Sequence, residues 1–152
     1  MPSVFSTPLR YVTATALFDG HDAAINMIRR LLVRHGAEVI HLGHNRSVAE
    51  IVQAVVQEDA NGVSISSYQG GHTEFFLYLR AELNRAGRAD CAIFGGGGGV
   101  ILPKEAEHLH AHGVCKIYTP FDGQTLGLDG MILDMMARTK AYPLTQNIEI
   151  VY

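Results

Sequence analysis

Long apolar runs are missing from this sequence. Nothing approaches the roughly 18 uninterrupted apolar residues of a membrane-spanning helix, so no membrane partner is expected. Basic clusters are missing too. Twelve Lys and Arg stand against fifteen Asp and Glu, a net charge of -3, and no Lys/Arg-rich segment occurs, which argues against a nucleic-acid partner. Cysteine is scarce: Cys91 and Cys115 lie far apart in apolar, strand-like runs and form no metal-type pair. They read as two buried free thiols in a reducing compartment. The opening segment "MPSVFSTPLR" has no charged region followed by an apolar one, so no secretory leader is expected, and a cytoplasmic location follows.

What is present is enough for one ordinary domain. The 152 residues are 47% hydrophobic and 18% charged, so the chain can bury a real core. Apolar, β-branched runs at 11–17, 37–42, 62–66, 91–94 and 114–119 read as five buried strands. Amphipathic stretches at 22–35, 47–59, 71–86, 103–112 and 124–139 alternate with them. Ser47 with Glu50 three residues later spells a capping box, Pro103 suits a first helical turn, and Gly36, Gly87 and Gly113 stand where helix ends need a left-handed residue. Strict βα alternation implies an α/β fold with helices on both faces of a parallel sheet. Five units suggest a doubly wound, flavodoxin-like (Rossmann-like) sheet of order 2-1-3-4-5. Residues 9–140 form the expected domain; 1–8 read as an N-terminal arm and 141–152 as a tail or linker, where "NIEIVY" could add an edge strand or stay disordered.

In such sheets ligands sit beyond the carboxyl ends of the strands. The chemistry-bearing residues collect there: "FDGHD" after the first strand, "SSYQGGH" after the third, "GGGGGVILP" after the fourth and "TPFDGQ" after the fifth. Asp22 serves equally well as a helix N-cap or as part of a site. His21 stands two residues from Asp19, close enough for the carboxylate to take the second N–H of a metal-bound imidazole. One histidine is too few for a closed zinc site, but it suits a metal already held equatorially by a macrocycle. The glycine run 95–99 lets something bulky approach the backbone. It matches neither the phosphate-loop spacing nor G-x-G-x-x-G, because no Lys-Ser or Lys-Thr follows and Val100 takes the last glycine position. Ser66 and Ser67 offer hydroxyls at the end of the third strand, although a strand-end serine bonded to backbone is the plain alternative. His41, His44 and His72 read as helix-start or surface histidines. His35, His108, His110 and His112 crowd helix C-termini, where the dipole favours them.

D-x-H at 19–21, S-x-Y at 66–68 and Gly98-Gly99 together resemble the D-x-H-x-x-G…S-x-L…G-G signature of the cobalamin (vitamin B12)-binding domain of acyl-CoA mutases and related carbon-skeleton mutases. Within that family the stretches "LFDGHDAAIN", "EVIHLGHNRSV", "SYQGGH" and "FGGGGGVILP" are most similar to the N-terminal domain of the fused isobutyryl-CoA mutases. The likeness covers about residues 10–140. Ala24 replaces the signature's last glycine and Tyr68 its leucine, both as in the fused mutases' own variant.

The resemblance implies adenosylcobalamin, with its cobalt, as cofactor. His21 would replace dimethylbenzimidazole as the lower axial ligand (base-off, His-on), and Asp19 would hydrogen-bond His21. Gly20 and Asp22 would complete the loop against the corrin. The displaced nucleotide tail would enter between the first and third strands. Ser66 would bond its benzimidazole nitrogen, and Tyr68, Gly70, Gly98 and Gly99 would line its slot. Tyr118, Thr119 and Pro120 would close it. The family's chemistry is a radical rearrangement of acyl-CoA thioesters, in which the cofactor carries the hard step. The acyl-CoA site belongs to a (β/α)8 barrel of about 250 residues, for which this chain has no room. The implied role is therefore the cofactor-binding domain or small subunit of an isomerase of isobutyryl-CoA or methylmalonyl-CoA mutase type. It would be inactive alone and partnered by a catalytic barrel chain or domain, with a GTP-binding chaperone domain as a further partner of the fused kind. A stand-alone cobalamin carrier or a corrinoid methyl-transfer protein is the alternative. A phospho-receiver is excluded by Ser66-Ser67-Tyr68 where its acceptor aspartate should stand. A flavodoxin-type electron carrier is excluded by the acids of "FDGHD" where a phosphate loop should be.

Overall fold

Strand periodicity sorts the side chains into two opposed sets, and the fold covers both. The computed structural model describes residues 8–16, 23–66, 72–96 and 103–151. Strands β1 (Arg10–Ala16), β2 (Glu38–Arg46), β3 (Gly62–Ser66), β4 (Ala92–Gly96) and β5 (Lys116–Tyr118) alternate with helices α1 (Ala23–Arg34), α2 (Val48–Glu58), α3 (His72–Arg85), α4 (Pro103–Ala111) and α5 (Pro120–Val151). All four strand pairs are parallel, in the order β2-β1-β3-β4-β5. This is the doubly wound sheet the alternation implied.

On one face Val12, Ala14, Val63, Ile65, Ile93 and Ile117 meet the inner stripes of α2, α3 and α4. On the other Tyr11, Ala92, Phe94 and Tyr118 meet Leu32 of α1 and Met131, Ile132 and Met135 of α5. With both faces covered, the strands need not alternate apolar with polar, which explains their near-continuous apolar runs. The helix covering changes sides at β1: α1 lies on one face and α2 on the other. The gap between the ends of β1 and β3 is thus the topological switch point.

Local signals hold closely. The Ser47 hydroxyl accepts from the Glu50 N–H, and the Glu50 carboxylate accepts from the Ser47 N–H at 3.0 Å, a closed capping box. Gly36, Gly87 and Gly113 have φ of 94°, 82° and 94°, which a side chain would oppose. Departures from expectation occur at the ends of elements. β2 runs on to Arg46 through a register slip at Leu42–Gly43, with Gly43 at φ 90°. β4 takes in Gly95 and Gly96, because β5 supplies a partner for them. The last helix starts at Pro120, not 124: the Thr119 hydroxyl accepts from the Asp122 N–H, and Asp122 accepts from the Thr119 N–H at 2.8 Å. It is broken at Gly127 (φ 74°, ψ 169°), and its backbone is helical through Val151, where an edge strand or disorder was expected. Among the described residues no helix is long and apolar enough to cross a membrane.

Candidate functional site

Parallel pairing brings the carboxyl ends of all five strands to one edge, and the register sets them side by side. Thr15 pairs with Ser66, Ser66 with Gly96, and Gly96 with Tyr118. Partners in such a row share a face and stand about 4.8 Å apart. The row Thr15–Ser66–Gly96–Tyr118 therefore forms a rim on the face that α1 and α5 cover, and it straddles the switch point. The segments that carry Asp19, Gly20, His21 and Asp22, then Tyr68 and Gly70, then Gly98 and Gly99 connect these strand ends to the next helices. These eight residues lie outside the described ones.

Thr15 is the residue that sequence reasoning passed over. It is fully buried, and among the described residues its Oγ1 has no hydrogen-bond partner. A buried hydroxyl left unpaired costs on the order of 1–3 kcal/mol, so the position calls for a polar group that the described residues do not supply. Ser66 beside it is also buried. One step down the same face Thr13 and Ser64 repeat the pattern. The signal was in the sequence as T-x-T in the first strand and S-x-S in the third: hydroxyls at period two, inside otherwise apolar runs. His41, expected at a helix start or on the surface, stands within β2, where its Nδ1 is 2.8 Å from the Thr13 hydroxyl.

The two described glycines of the run 95–99 have different reasons. A Cβ on Gly95 would run into Cζ of Phe76, so this glycine makes room for α3, not for a ligand. A Cβ on Gly96 would meet only the Tyr118 carbonyl oxygen, at 3.2 Å, on the rim face. Tyr118 is buried, stacks on Phe94 at 6.4 Å, and donates its hydroxyl to Asp134 Oδ2 at 2.7 Å. Burial, reinforced by that bond, pushes its phenol well above the ordinary range. Burial acts to raise the Asp134 carboxyl as well, but the bonds from Tyr118 and Arg138 outweigh it and hold the group below its usual value. Tyr118 is thus a fixed wall tied to α5. Thr119 is committed to the cap of α5, and Pro120 takes its first position, where no N–H is needed. Burial lifts the thiols of Cys91 and Cys115 to about 12 and about 11, which keeps both protonated and unreactive near neutral pH.

The rim thus presents two neighbouring buried hydroxyls, a glycine and an immobile aromatic at the switch point. The Thr15 hydroxyl finds no partner among the described residues, and none of the four residues of the row is charged.

Comparison with known proteins bears on which ligand this is. Residues 9–123 match the B12 binding domain family. The chain is 58% identical over 128 residues to the fused isobutyryl-CoA mutase of Geobacillus kaustophilus, covering 84% of this chain and 12% of that protein. It is 30% identical over 99 residues to the 2-hydroxyisobutanoyl-CoA mutase small subunit of Aquincola tertiaricarbonis, covering 65% of this chain and 71% of that one. Among solved structures, a cobalamin-binding protein from Desulfitobacterium hafniense superposes with a TM-score of 0.72 at 20% identity, covering 87% of this chain and 60% of that one, a likeness of fold alone. The chain spans only 10–12% of the length of the fused mutases it matches.

Proposed function

Because the chain belongs to the B12-binding domain family, we propose that it holds adenosylcobalamin base-off, with His21 as the lower axial ligand of cobalt, and presents it to a catalytic acyl-CoA mutase partner. The observation that carries this reading is the unpartnered, fully buried hydroxyl of Thr15 beside Ser66, on the strand edge from which the D-x-H segment departs.

The chain's own residues divide the work. His21 donates an imidazole nitrogen from below, and Asp19 holds its other N–H, which sets the tautomer and raises its basicity. Gly20 and Asp22 shape the same loop. Ser66 would donate to a base nitrogen of the cofactor's tail, and Gly98 and Gly99 would leave the tail's path free of side chains. Tyr68 and Gly70 border it on the third strand's side, and Tyr118, Thr119 and Pro120 on the fifth's. When bound, the cofactor supplies a weak cobalt–carbon bond whose homolysis starts radical rearrangement. The acyl-CoA site belongs to the partner: a (β/α)8 barrel chain or domain, accompanied in fused enzymes by a GTP-binding domain.

The test is the visible spectrum of the purified protein with adenosylcobalamin at neutral pH. The base-off form with histidine bound is expected in the wild type. His21→Ala should lose histidine coordination, and Asp19→Asn should weaken binding by about 10–100-fold. Benzimidazole retained on cobalt in the wild-type complex would remove His21 from its role, whatever the affinity.

A further inference from the structure

Helix α4 ends in the run His108-Leu109-His110-Ala111-His112. Leu109 is fully buried and fixes the rotation of this last turn. His110 turns back toward the sheet, where its Nε2 accepts the Ile117 N–H at 2.9 Å. His108 and His112, four residues apart, are left on the exposed side, their ring centroids 4.3 Å apart with 41° between the planes. His112 Nδ1 is 2.7 Å from the His108 carbonyl oxygen. A carbonyl can only accept, so Nδ1 is the donor, and in the neutral ring the free lone pair is on Nε2. A backbone carbonyl on one ring nitrogen, fixing the other as the donor, is the arrangement that orients metal-ligating histidines.

The placement also favours a cation. The carbonyl end of a helix carries partial negative charge. Histidines at i and i+4 on one helix face are the spacing of paired zinc ligands. The site is at the opposite edge of the sheet from the proposed cofactor, because a helix that follows a strand's carboxyl end returns the chain to the other edge. We infer that His108 and His112 form a two-imidazole site for a late first-row divalent cation. Ni2+ and Cu2+ bind best and Zn2+ follows, with water completing the shell. Among the described residues no group of three or more His, Cys, Asp or Glu is gathered for a metal, so the pair acts as a bidentate site open to solvent. Hard cations such as Mg2+ find no oxygen cage here.

The experiment is calorimetric titration of the untagged, cobalamin-free protein with NiCl2, run in parallel on His108→Ala, His112→Ala and His21→Ala. One equivalent should bind to the wild type. Each α4 substitution should weaken binding by about tenfold or more, since a chelate is reduced to a single ligand. His21→Ala should leave that equivalent in place. Zn2+ should shift the imidazole 15N resonances of His108 and His112 together. Wild-type affinity in both α4 variants, or loss of the equivalent in His21→Ala alone, would overturn the assignment. Both α4 histidines are exposed, so far-UV circular dichroism of the variants should be unchanged.

Discussion

Thr15→Val separates the free protein from its complex by the sign of its effect. Valine keeps the β-branched shape that suits a strand and removes only the hydroxyl. That hydroxyl is fully buried and finds no partner among the described residues, a defect on the order of 1–3 kcal/mol. Its removal should therefore stabilise the free protein by about that much, although most core substitutions destabilise. The midpoint of urea unfolding should rise with unchanged slope. If cobalamin brings the missing polar partner, the same substitution gives up that gain on binding. Affinity should fall by roughly 5- to 150-fold, the equivalent of 1–3 kcal/mol. Equilibrium unfolding and spectroscopic titration of one variant measure both numbers. A Thr15→Val protein that is less stable than the wild type and binds cobalamin equally well would show that the hydroxyl is already satisfied and faces no ligand.

Other parts of the fold make equally specific demands. His110 accepts the Ile117 N–H, and burial, aided by Lys116 and Arg138, lowers its pKa from 6.5. With the folded value below the unfolded one, its contribution is present above about pH 6.5 and is lost as pH falls through the folded value. Thermal unfolding midpoints should decline across that window, and His110→Gln, which can accept without titrating, should flatten the decline; equal slopes would exclude His110. Gly95→Ala should cost about 1–3 kcal/mol by forcing its methyl against Phe76, read as a lowered urea midpoint. Arg80, buried, donates to the carbonyls of Cys91 (2.7 Å) and Arg88 (3.1 Å) and to the Tyr142 hydroxyl (3.1 Å). Arg80→Met should leave these acceptors unmet and cost about 2–4 kcal/mol in chemical denaturation, and a neutral effect would show that water replaces the guanidinium.

The five strands, the four leading helices and the strand order were legible because each rests on local chemistry. β-branched runs bury on both faces, Ser47 and Glu50 close a cap, and glycines at 36, 87 and 113 accept positive φ. The D-x-H, S-x-Y and Gly-Gly motifs could be read together because each follows or ends a strand, and parallel pairing brings the carboxyl ends of β1, β3 and β4 to one edge. What sequence alone did not decide is the purpose of particular side chains. Gly95 read as ligand space and proved to be room for Phe76, a residue nineteen positions earlier that only the α3–sheet packing brings near. Thr15 read as an ordinary strand residue, and only its register with Ser66 under α1 and α5 makes its unpaired hydroxyl conspicuous. Periodicity and turn chemistry act within a few residues and survive in any sequence window. Whether a polar atom finds a partner depends on contacts between residues far apart in the chain, and those exist only once the layers have packed.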